Sequence, residues 1–353
     1  MADTKGKVQT VLGPLDPSQM GVTMMHEHLH LDFNVAFIPP GGKDRGKEDC
    51  DFVLENAGWI RQNPYHHLSN INFCDGAVNE SITGELTTYA ANGGGTIVEL
   101  TNYGIDRNAA LLAQYSSATG VNIVCGTGYY VYPSQKEADR SLTVEEMTAR
   151  AVQDVAEGCP EAPHVKAGVI GEVGSNWPIH AFERRAIEAA ALAQQATGAP
   201  VNFHPGRHEQ APAEVIRLFQ EAGGDASRCI MSHLDRTIET AAGLAEFGQL
   251  GTFLEFDLFG IEVSHYMMAP HVDMPSDAQR IRRIKDLVDA GFDDKIVISH
   301  DIHTKHRLTR FGGHGFSHIL DNVVPMMKTR GFSEETINKI LVGNPQQAIT
   351  FQR

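Results

Sequence analysis

Short apolar or β-branched runs recur along the chain, separated by segments of helical character. They are GVTMMHEH at 21–28, GGTIVELTN at 94–102, VNIVCGTGYY at 121–130, VKAGVIGEVG at 165–174, APVNFHPG at 199–206, RCIMSHLD at 228–235, GTFLEFDLFG at 251–260 and DKIVISHD at 294–301. Each is close to continuously apolar rather than alternating, the pattern of strands buried on both faces of a parallel sheet. Between them, apolar positions fall at three- and four-residue spacing. The segment WPIHAFERRAIEAAALAQQATG at 177–198 is alanine-rich and closes on a glycine, a helix stop signal. Eight alternating units predict an α/β fold closed as a (β/α)8 TIM barrel, with a doubly wound open sheet as the alternative.

The longest interval separates the first two runs. It opens with FIPPGGKDRGKEDCDF, rich in proline, glycine and charge, and precedes a helix expected near 76–91. Residues of about 33–75 therefore read as an insertion within a single domain spanning 1–353.

Composition narrows the functional classes. Hydrophobic residues at 42% and charged residues at 21% describe a folded chain with a sizeable core. A formal charge of -15 and the absence of a basic run argue against nucleic acid as a partner. The cysteines at 50, 74, 125, 159 and 229 are odd in number and widely spaced, unlike a disulfide framework or zinc ribbon. With no apolar leader or membrane-length run, a cytoplasmic location and no membrane partner are the expectations.

The chemistry concentrates where the runs end. Residues two apart on a strand share a face, so His26 and His28 would both point into the barrel and Glu27 away from it. Later runs end in Glu172, His204, His233 and Asp301, on the face where TIM barrels place their active sites. A lone histidine there is ordinarily a packed polar residue. Six metal-type donors buried together are costly without a cation. Four imidazoles and two carboxylates exceed one tetrahedral ion with an open position, so they imply a binuclear metal centre. His26, His28 and Asp301 would hold one ion, His204 and His233 the other, and Glu172 would bridge. Two dications against two carboxylates and one hydroxide leave a single positive charge, which favours an anionic substrate. Zinc is the default ion, with manganese, cobalt or iron also suited to these ligands.

With GKVQTVLG, HEHL, GGG, GVIGEVG, HPGR, MSHLDRTI, DLFG, RIRR, SHDIHTK and GGHGFSHIL in order, the chain resembles the phosphotriesterase-related proteins of the amidohydrolase superfamily nearly end to end. The resemblance implies a binuclear hydrolase whose ligands fall on the same six residues. It departs from the founding phosphotriesterases in offering Glu172 where they bridge the metals with a carboxylated lysine; Lys166, six residues earlier, is a poor substitute. Phosphotriester hydrolysis is thereby placed in doubt. Similarity to the animal-type members implies cleavage of N-acetyltaurine to taurine and acetate, or of related N-acyl taurines and N-acetyl amino acids. A lactonase or phosphoester hydrolase is the alternative activity. Superfamily relatives also imply a homodimer.

For a small anionic amide, Asp301 is the expected proton acceptor and donor. Arg207 is the first candidate to grip the anionic end, ahead of Lys305 and Arg307. Tyr130 and His303 are expected to line the pocket, and Asp235, two residues after His233, to relay protons or orient a ligand. Residues 303–320 could form a lid or a fixed connection, and His314 and His318 are expected not to be ligands.

Overall fold

Strands β1 (Val22–Glu27), β2 (Gly94–Glu99), β3 (Asn122–Thr127), β4 (Val169–Gly174), β5 (Val201–His204), β6 (Cys229–Met231), β7 (Phe253–Phe256) and β8 (Ile296–Ile298) fall inside the eight predicted runs. They pair in chain order and every pairing is parallel. A doubly wound sheet would reverse strand order partway, so the open alternative is excluded. The computed structural model describes residues 4–263 and 265–352. Closure comes from the segment after β8: Ser299 Oγ and Asp301 N donate to the His26 carbonyl at 2.8 and 3.0 Å.

The helices of the barrel are α1 (Gly76–Ala91), α2 (Ala109–Thr119), α3 (Val144–Ala156), α4 (Ala181–Thr197), α5 (Ala211–Glu221), α6 (Ala241–Gly248), α7 (Asp277–Asp289) and α8 (Val324–Thr329). In α4 the helix begins four residues later than its apolar pattern does. His180 caps the Phe182 amide while Glu183 reaches back to the His180 amide, and the helix ends at Gly198 in the left-handed region, φ 73°.

The barrel lumen has two layers. Met25, Val98, Val124, Val169, Ile230, Phe253 and Val297 form an apolar cluster, sealed below by Val8 of the N-terminal hairpin and by Ala348 and Ile349. Each such side chain withdrawn from water contributes about 1.5–3 kcal/mol. Above that floor the inward residues turn polar: Asn202 Nδ2 donates to Glu255 Oε2 at 2.9 Å, and Ser232 Oγ donates to the same oxygen at 2.7 Å. The catalytic face begins on this layer.

Between β1 and α1 the chain makes one helix, Leu54–Gln62, and several single turns. It leaves and returns at one place, since Phe33 N donates to the Ile71 carbonyl at 3.1 Å and Phe73 N to the Leu31 carbonyl at 2.7 Å. Residues 303–320 are tied down: Thr309 N and Oγ1 both bond Glu85 Oε1 at 2.6 Å, and Arg307 bonds the Phe259, His300 and Asp301 carbonyls. Such anchoring favours the fixed connection over the lid.

Candidate metal centre

The six predicted donors converge at the C-terminal mouth, and all are buried. His28 Nε2 lies 3.2 Å from Asp301 Oδ1 and 3.5 Å from Glu172 Oε1. His26 Nε2 lies 3.8 Å from Asp301 Oδ1 and 3.6 Å from Glu172 Oε2. Across the mouth, His204 Nδ1 is 2.8 Å from both Glu172 Oε2 and His233 Nε2. Two groups result, His26–His28–Asp301 and Glu172–His204–His233, each with its donor atoms within 4.8 Å of one another. Glu172 reaches both groups: Oε1 lies near His28, and Oε2 near His204 and His233 as well as His26, a position from which a carboxylate can bridge.

Local backbone geometry aims these side chains. His233 and Asp301 follow the ends of β6 and β8, and both take left-handed conformations, φ 57° and 51°, which are uncommon outside glycine. Glu27 faces away from the cluster as alternation requires, and there it accepts from Ser299 Oγ, His300 N, His300 Nδ1 and Ile302 N at 2.7–2.9 Å. Burial pushes the Glu27 carboxyl up, but His300 and these donors hold it below its ordinary value. An ionised Glu27 thus fastens the loop carrying Asp301 onto β1.

The residues fit divalent cations on three counts. His26 Nε2 is buried without a hydrogen-bond partner, a state that costs free energy unless something binds there. His204 Nδ1 and His233 Nε2 lie 2.8 Å apart, and Glu172 Oε2 lies 2.8 Å from the first and 3.6 Å from the second, so one cation could be shared by the two nitrogens and the carboxylate. Burial pushes both down; it prevails at His204, to about 3, while Asp257 outweighs it at His233, which rises to about 9. Burial likewise opposes charge on Glu172 and Asp301, yet the histidines around them hold both carboxyls far below the usual range. Third, the ligand nitrogens are oriented from behind. Thr101 Oγ1 meets His28 Nδ1 at 2.9 Å, Asp257 Oδ1 meets His233 Nδ1 at 2.8 Å, and Asp257 Oδ2 lies 3.1 Å from His26 Nδ1.

A narrow cavity opens above the cluster, with Tyr130, Arg207 and His303 in its wall as expected. Tyr65, Arg236 and Tyr266, which the sequence did not single out, line it too. Arg236 is buried and Arg207 partly buried, and among the described residues neither pairs with a carboxylate. Arg207 Nε donates to the Tyr266 hydroxyl at 2.9 Å, and the nearest acceptors of Arg236 are the Pro205 carbonyl at 3.4 Å and Thr237 Oγ1 at 3.5 Å. Burial and the neighbouring Arg207 charge push the Arg236 guanidinium below its ordinary value.

Three expectations meet different geometry. Lys305 is not in the cavity wall; its Nζ bonds Ser69 Oγ at 2.9 Å and pairs with Asp75. Asp235 does not touch His233, because strand alternation ends with β6 and the left-handed His233 starts the turn Leu234–Thr237; its carboxylate holds Arg280 at 2.7 Å and Leu258 N at 3.1 Å. Asp257 takes the orienting place instead, and its charge, absent from the sequence-based balance, cancels the single positive charge expected there. The pull on an anion then falls to the two arginines. Lys166 precedes β4, at the end of the strand opposite Glu172, and His318 pairs with Asp277 at 2.7 Å.

Barrel and cluster together have the make-up of a TIM-barrel hydrolase. The chain belongs to the phosphotriesterase family, whose model matches residues 6–349. It is 47% identical to an N-acetyltaurine hydrolase of Danio rerio and 45% identical to one of Xenopus tropicalis, each over the full length of both chains. Among solved structures, a resiniferatoxin-binding protein from Rhodobacter sphaeroides superposes with a TM-score of 0.93 at 31% identity, covering 98% of this chain and 96% of that one.

Proposed function

We propose that this protein hydrolyses N-acetyltaurine to taurine and acetate at a pair of divalent cations, zinc by default. His26, His28, Glu172, His204, His233 and Asp301 would hold them. The observation that carries this reading is the pair of carboxylate-free arginines, Arg236 buried and Arg207 partly so, facing the histidine–carboxylate cluster across one cavity. Burying an unpaired charge costs several kcal/mol, and an anionic substrate group removes that cost. The names of the full-length relatives supply the particular anion, a sulfonate.

When bound, the cations lower the pKa of a water and polarise the amide carbonyl. The chain's own residues do the rest. Arg207 and Arg236 grip the sulfonate through charge-assisted hydrogen bonds, setting the distance from anion to amide. Asp301, ionised at neutral pH, takes a proton as the water oxygen bonds to the carbonyl carbon. It returns that proton to the nitrogen as the C–N bond breaks, releasing acetate and the amine. His303 stands between the Asp301 carboxylate, at 3.1 Å, and the Tyr65 hydroxyl, at 3.0 Å, and orients the former.

Replacing Arg207 by alanine tests the assignment. A hydrogen bond to a charged group contributes about 1.5–3 kcal/mol, so KM for N-acetyltaurine should rise about 10- to 100-fold with little change in kcat. A neutral amide lacking the sulfonate should be hydrolysed as by the unsubstituted protein. Equal losses on both substrates, or no taurine release from N-acetyltaurine by the unsubstituted protein, overturn the reading.

Residues 1–353 are proposed as one domain with 33–75 inserted; residues 1–3, 264 and 353 of that span lie outside the described residues. A cytoplasmic location accords with five free cysteines. No helix among the described residues is long and apolar enough to cross a membrane.

A further inference from the structure

A second cluster of metal-binding side chains lies outside the proposed centre. His30 follows β1, Cys74 comes just before α1, and Asp106 lies in the loop after β2. His30 Nε2 is 3.3 Å from Asp106 Oδ2 and 3.7 Å from Cys74 Sγ, and Cys74 Sγ is 3.8 Å from Asp106 Oδ2. Tetrahedral zinc, with bonds of about 2.0–2.2 Å to nitrogen and oxygen and about 2.3 Å to sulfur, sets its donors roughly 3.3–3.6 Å apart. All three observed separations fall within a few tenths of an ångström of that range.

Ordinary hydrogen bonding explains the cluster poorly. The imidazole–carboxylate contact is longer than the usual 2.7–3.2 Å, and a thiol is a weak donor that already has the Leu31 carbonyl at 3.4 Å. The His30 ring is more than nine-tenths buried, and its Nδ1 has no partner. Nε2 is the ring nitrogen that faces the sulfur and the carboxylate. The backbone fixes the three donors in place: Asp32 N donates to the Ile105 carbonyl at 3.0 Å, and Phe73 N to the Leu31 carbonyl at 2.7 Å. Cys74 and Asp106 are exposed, which leaves a fourth position to water.

We propose that His30, Cys74 and Asp106 form a further divalent-cation site, separate from the binuclear centre. One thiolate, one imidazole and one carboxylate select a borderline ion such as zinc or cobalt over magnesium or calcium. An ion there cross-links the returning end of the 33–75 segment to the loops after β1 and β2. Leu31 and Ile105, each next in sequence to a ligand, line the catalytic cavity, so the ion braces that wall.

Cobalt loading of the chelator-stripped full chain tests the site. The six donors of the main centre include no sulfur, so thiolate-to-cobalt charge-transfer absorption in the near ultraviolet reports this cluster alone, whether or not the binuclear centre forms. The band should appear in the unsubstituted protein and in Cys50→Ser, vanish in Cys74→Ser and weaken in Asp106→Asn. Zinc should also slow alkylation of Cys74 by iodoacetamide in the unsubstituted protein, a readout that needs no variant. Absence of the band from the unsubstituted protein, its persistence in Cys74→Ser, or alkylation indifferent to zinc overturns the proposal.

Discussion

Asp301→Asn lowers kcat for N-acetyltaurine about 10²- to 10⁴-fold, the range in which a positioned general base contributes. The amide side chain keeps the shape of the carboxylate and one donor oxygen, but it cannot accept a proton. Burial works against ionisation of Asp301, yet His303 and His28 outweigh it, so the group is charged and ready to accept throughout the neutral range. KM should change little, because the arginines that hold the anion lie elsewhere in the cavity wall. Steady-state taurine release, with metal content measured on the same preparation, checks this. A near-normal kcat with full metal content would remove Asp301 from the chemistry.

Glu172→Ala should have the broadest effect of any single substitution. Its carboxylate lies within 2.8–3.6 Å of all four cluster histidines, two from each group of donors. Without it the buried imidazoles lose their shared counter-charge, and breaking a buried ionic network costs about 3–5 kcal/mol. In a Cys74→Ser background, which removes the proposed cysteine site, metal content should fall to at most one ion per chain, activity by more than about 10²-fold, and the melting temperature by several degrees. Elemental analysis and calorimetry read these directly. Two ions per chain in that Cys74→Ser, Glu172→Ala double variant would show that the carboxylate does not bridge.

Sequence and structure part where local pattern stops governing geometry. The strands were legible because burial on both faces leaves a nearly unbroken apolar run, and the six donors because each closes or directly follows such a run. Asp257 carries the same signal in DLFG, one residue beyond β7, yet that run reads as apolar until the carboxylate is seen beneath His26 and His233. Arg236 had no comparable signal. It reaches the cavity only because the left-handed His233 starts a single helical turn, and that same turn carries Asp235 off to Arg280. The partner of Lys305 is likewise a long-range matter, since Asp75 is 230 residues away in sequence. Alternation showed which way Glu27 points, but not that it fastens the loop bearing Asp301.

The most direct test is the metal content of the purified protein, followed through chelation and reloading while taurine release from N-acetyltaurine is measured. Two divalent ions per chain in the binuclear centre should be found, with the Cys74→Ser variant used to exclude any ion at the cysteine site. Activity should disappear as they are stripped and return as they are restored. Undiminished hydrolysis by protein free of metal, or saturation at a single ion with full activity, would contradict the binuclear centre.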